Sequence, residues 1–91
     1  PKLAPAKQKL AVAEQELSVA EQELAVAKQK LSVAEQKLAV AKEEVQKKPN
    51  DPIVKDTYER AKWRFDFAQK EFDSAQKGFD AIQERVASLT K

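Results

Sequence analysis

Residues 3–44 read LAPAKQK LAVAEQE LSVAEQE LAVAKQK LSVAEQK LAVAKEE, six seven-residue blocks without a gap. Leucine opens every block at position a (Leu3, Leu10, Leu17, Leu24, Leu31, Leu38), and Val45 takes the next a position. Alanine fills position d each time: Ala6, Ala13, Ala20, Ala27, Ala34 and Ala41. Glu or Lys fills e and g, and Gln fills f until Glu43. An apolar period of seven is helical, and over this many repeats it specifies a helix that supercoils against a partner. Pro5 replaces the valine of the later blocks; proline is tolerated in a first helical turn, so the helix is expected to begin near there.

The pattern breaks at Gln46-Lys47-Lys48-Pro49-Asn50-Asp51-Pro52. Pro49 pushes Lys48 out of helical dihedrals and ends the first helix. Asp51 followed by Pro52 reads as an N-cap with proline at the first helical position, and Asp56 favours the positive end of the new helix. A turn this short makes its two helices antiparallel neighbours. The second segment has its own heptads: Tyr58, Phe65, Phe72, Phe79 and Val86 at a, with Val54, Ala61, Ala68, Ala75, Ile82 and Leu89 at d.

Folding the chain at the turn sets Val45 against Val54, so the numbers of facing residues add to 99. The layers that follow are Ala41 with Tyr58, Leu38 with Ala61, Ala34 with Phe65, Leu31 with Ala68, and Ala27 with Phe72. Beyond them come Leu24 with Ala75, Ala20 with Phe79, Leu17 with Ile82, Ala13 with Val86, and Leu10 with Leu89. Through the middle every large side chain meets an alanine, which fills space at native density. A slip of one layer would set Phe on Leu and Ala on Ala, giving overpacking and voids together. The expected fold is therefore all-α: an intramolecular antiparallel coiled-coil hairpin with a first helix over about 4–48, a turn at about 48–52 and a second helix over about 52–90. Its expected length is about 55–65 Å at 1.5 Å per residue. Among flanking charges, Lys30 should lie near Glu71, Glu16 near Arg85 and Glu35 near Lys62, while Lys37 with Arg64 and Lys42 with Lys55 repel. The close alanine spacing resembles the Ala-rich antiparallel pairs called Alacoils.

Composition excludes much. There are no cysteines, histidines or methionines among the 91 residues. Disulfide frameworks, thiolate or imidazole metal sites and histidine acid–base chemistry are thereby ruled out. Carboxylates such as Glu14 and Glu21, or Asp66 and Asp73, stand about 10 Å apart along a helix axis and cannot share an ion. With no phosphate-cradling glycine loop and no nucleophile–base pair, no enzymatic activity and no cofactor are expected. The formal charge of +2 is spread among interspersed signs, so nucleic acid is not an expected partner. The longest apolar run is four residues, too short for direct membrane insertion. The first heptad is already in phase at Pro1, and the helical pattern reaches Lys91 without a stop signal. The 91 residues therefore read as a single hairpin cut from a longer protein; localisation is left open.

Two outward features remain. Val12, Val19, Val26, Val33 and Val40 occupy position c, read as roughly opposite the leucine seam, where helix propensity does not explain valine. Trp63 and Phe67 stand one turn apart at outward f and c positions of the second helix, the spacing of a hot-spot anchor. These seven form the candidate interaction surface, for another part of the parent chain or for a homodimer through the valines. Gly78 within the second helix costs about 1 kcal/mol against alanine, which a close neighbour beside Phe79 would explain. The functional expectation is a structural, protein-binding module: a rigid spacer, stalk or self-association element.

The Leu-x-x-Ala heptads joined by a tight turn resemble the helical hairpins of periplasmic adaptor (membrane-fusion) proteins of efflux and secretion systems. That resemblance implies end-on docking to an outer-membrane channel through a tip containing Arg, Leu and Ser; the tip here reads Lys47-Lys48-Pro49-Asn50-Asp51-Pro52. Tyr58-Glu59-Arg60-Ala61 is similar to a stretch in the receptor-binding hairpins of colicins, which would imply a bacteriocin.

Overall fold

The structure, a computed structural model, describes residues 3–91. It is an all-α hairpin. Helix α1 spans Leu3–Lys47 and α2 spans Pro52–Leu89. The helices pack along their length into a body of 72 × 15 × 14 Å. The rod is longer than expected because the 45 residues of α1, which begins at Leu3, already span about 67 Å at 1.5 Å per residue, and the turn extends it further. Pro5 then lies in the first turn, where its missing N–H would have had no helical acceptor. The side chains of residues 1–4, including Leu3 at its a position, lie outside the described residues.

The turn is held by its own backbone. The Lys48 N–H reaches the Glu44 carbonyl at 2.8 Å and closes α1, and the Asp51 N–H donates to the Lys48 carbonyl at 3.2 Å. Asp51 (φ −81°, ψ 116°) caps α2: its carboxylate accepts from the Ile53 N–H at 2.9 Å and the Val54 N–H at 3.4 Å. Pro52 opens the helix, where a lost N–H costs nothing. At the other end α2 runs to Leu89. The Thr90 N–H donates to the Val86 carbonyl at 3.1 Å, and its hydroxyl donates to the Ala87 carbonyl at 2.9 Å.

Burial follows the heptads. The buried side chains are Ala13, Ala20, Ala27 and Ala41 on α1 and Ala61 and Ala68 on α2. Leu10, Leu17, Leu24, Leu31, Leu38 and Val45 are half-buried, as are Val54, Tyr58, Phe65, Phe72, Phe79, Ile82 and Val86. Ala34 and Ala75 are half-buried too. No large side chain among the described residues is sealed off completely. The geometry explains the division. Two helices enclose only the strip between their axes, so a methyl is covered there while a leucine or phenylalanine must lie out along the flank.

Leu89 corrects the expected core, being 38% exposed. It is the last residue of α2, at the open end, and lines a surface groove with Pro5 and Val12. Gly78 also differs from expectation, because a Cβ placed on it would meet nothing within 4 Å. No close neighbour explains the glycine.

Candidate interaction face

At about 100° per residue, position c stands about 40° from g, and antiparallel helices meet along their g edges. Valines at c therefore border the flank shared with α2 instead of pointing away from it. The structure has a long open groove on this flank, lined from α1 by Val26, Val33 and Val40 and from α2 by Trp63 and Phe67. The two outward features of the sequence thus share one face. A second groove on the same flank, nearer the open end, takes in Val12 and Leu89. Val19 falls between the two on the c row.

The apolar surface is open. The five valines are 47–60% exposed, Trp63 74% and Phe67 56%. Trp63 and Phe67 stack, with ring centroids 6.4 Å apart and planes at 20°. The stack fixes two bulky rings as one ridge. No helix among the described residues is long and apolar enough to cross a membrane.

Charged groups frame the grooves. Arg85 of α2 bonds Glu16 of α1, an ion pair between residues 69 apart that clasps the helices at the second groove. Lys30, Lys37 and Glu44 border the first groove opposite Glu71, Arg64 and Thr57. Lys30 and Glu71 make no direct ion pair among the described residues, although they border the same groove. Lys62 differs from expectation: it pairs with Glu59 of its own helix at 3.4 Å and lies 5.0 Å over the Tyr58 ring, not on Glu35. A partner three residues away on the same helix needs less ordering of a long side chain than one across the seam. Local ties also dress the rest of α2: Arg60 to Asp56 at 3.1 Å, Gln69 to Asp73 at 3.2 Å and Gln76 to Asp80 at 3.1 Å.

The face thus offers apolar contact, a stacked aromatic ridge and alternating charge. Among the described residues no group of three or more acidic side chains could hold a metal ion. Comparison with known proteins finds no matching family model, no matching curated protein and no matching solved structure.

Proposed function

We propose that the chain is a structural, protein-binding module: a rigid antiparallel coiled-coil hairpin of the Alacoil kind, serving as spacer, stalk or self-association element. The observation that supports this best is the run of buried alanines at seven-residue spacing along a 72 Å rod. In the proposed packing the facing residue numbers add to 99, and each buried alanine receives a leucine, a valine or an aromatic ring. The work is mechanical and adhesive, with no reaction and no cofactor.

The tip supports the lateral face as the working surface over an end-on contact. Its one carboxylate, Asp51, is committed to capping α2, and Pro52 to starting it. What lies open along the flank is a long apolar groove; what lies open at the tip is Lys47, Lys48, Pro49, Asn50 and Pro52 with one apolar side chain, Ile53.

A cysteine pair tests the packing. Ala34→Cys with Phe65→Cys should oxidise within one chain under dilute conditions, while Ala27→Cys with Phe65→Cys, one heptad off, should not. Disulfides formed only between chains, or equal yields from both pairs, would overturn the reading.

A further inference from the structure

We propose that α1 docks along its valine row on α1 of a second copy of this chain, the two hairpins pointing in opposite directions. The inference rests on the hairpin reading above and deepens its self-association option by fixing the partner, the contacting helix and the register.

The outer rows of α1 are symmetric about Val26. Val12, Val19, Val26, Val33 and Val40 are evenly spaced, so reversing the helix lays Val12 on the partner's Val40, Val19 on its Val33 and Val26 on its Val26. Beside the valines, position g runs Lys9, Glu16, Glu23, Lys30, Lys37, Glu44. The same reversal sets Lys9 beside the partner's Glu44, Glu16 beside its Lys37 and Glu23 beside its Lys30. Each pair occurs twice by the dyad, so every level joins opposite charges. On the other side of the valines, position f brings Gln15 to the partner's Gln36 and Gln22 to its Gln29, amides that can donate and accept between themselves. All these side chains are exposed in the hairpin, the valines by 47–60%. Among the described residues Lys9, Glu23, Lys30, Lys37 and Glu44 make no ion pair within the chain. Glu16 bonds Arg85 through one oxygen, Oε2, which leaves Oε1 for the partner's Lys37.

Competing registers lose this match. Sliding the partner by one heptad in one direction sets Lys9 on Lys37 and Glu23 on Glu23; sliding it the other way sets Glu16 on Glu44 and Lys30 on Lys30. Either slip also leaves one valine of each copy without a partner. A parallel pairing about the same row turns each g position toward the partner's f position, setting charges against glutamines with no ion pair. Apolar overlap and charge therefore select the same register, and complementary charge fixes orientation more than it adds affinity.

The contact belongs to α1 alone. Position c lies about 130° round α1 from the direction of α2, so a helix laid there stands clear of α2. In the same reversal α2 has no matching order: Lys70 would stand level with the partner's Lys77, and Arg64 within a turn of its Arg85. The Trp63–Phe67 ridge on α2 stays outside the contact. Lys37 gains most, because within the hairpin it borders the groove opposite like-charged Arg64, and the partner's Glu16 supplies the missing carboxylate. A strip one helix wide buries at most about 1,200 Å² in total, the size of weak and reversible interfaces.

The test reads mass, charge and distance on the full chain. Sedimentation equilibrium from about 10 µM to about 1 mM should show one chain passing to two. Glu23→Lys and Lys30→Glu should each weaken association about tenfold at low salt, and the two together should restore it to within about twofold. Both positions are exposed, so circular dichroism should not change. Val26→Glu, which sets two carboxylates together on the dyad, should abolish association. Nitroxides on Asn50→Cys, at the turns, should lie about 70 Å apart in the dimer, and nitroxides on Ala25→Cys less than roughly 30 Å. Turn labels within roughly 30 Å of each other, as hairpins pointing the same way would give, overturn the orientation. Association undiminished by Val26→Glu overturns the face, and a double charge variant no tighter than the single ones overturns the register. A chain that stays single at every concentration while its Ala34→Cys/Phe65→Cys pair still oxidises overturns the docking and leaves the hairpin standing.

Discussion

The seam between the helices and the lateral face beside it use the same side-chain chemistry to opposite effect. On the seam, alanines are covered and their large neighbours half-covered, so contacts made within the chain hold the hairpin together. A few ångströms round the helix, valines and a Trp–Phe stack stand about half or more exposed and add little to the fold. Apolar content therefore does not distinguish structural from adhesive residues. Angular position does: residues at a and d are used up by the return helix, while those at c are left for whatever lies beside the rod.

Substitution on the two surfaces should separate them. Phe72→Ala removes a half-buried ring from the seam and should lower unfolding free energy by about 2–3 kcal/mol in urea melts followed by circular dichroism. A loss as small as that of a surface change would break the contrast. Asp51→Ala strips both side-chain bonds from the start of α2 and should cost about 1 kcal/mol in the same assay. Gly78→Ala runs the other way, with a stabilisation of about 1 kcal/mol, because the new methyl enters open space in a helix interior. A double-mutant cycle on Glu16 and Arg85, both about half exposed, should return no more than about 1 kcal/mol, shrinking with added salt. Phe67→Ala at dilute concentration should move the melt by less than about 0.5 kcal/mol. A larger loss there would mean that the face contributes to the single hairpin after all.

The fold was legible because two independent signals agree. The Leu-x-x-Ala period demands a partner seam, and Pro49 and Pro52 bracket a turn too short for any arrangement other than a return. Capping by Asp51 was readable from residue type alone. Leu89 was misjudged because a heptad assigns position without regard to the end of a helix, where the next covering layer is missing. The union of the valines with Trp63 and Phe67 was missed because each helix was read against its own seam. The signal was present: c borders g, and g edges meet in an antiparallel pair. Where Lys62 points was not legible, since the heptad register offers it Glu35 across the seam and helix spacing offers it Glu59, and residue type alone does not choose between them.

The covered alanines have a consequence for length. Since no bulky side chain among the described residues is fully buried, each layer depends mainly on the layers above and below it, and no central knot of packing ties the rod to one size. Removing one block from α1 together with its counterpart from α2 would shorten the hairpin by about 10 Å and leave every remaining layer intact. Such a chain is a ruler with repeating divisions, whose reach can be reset without redesigning either end.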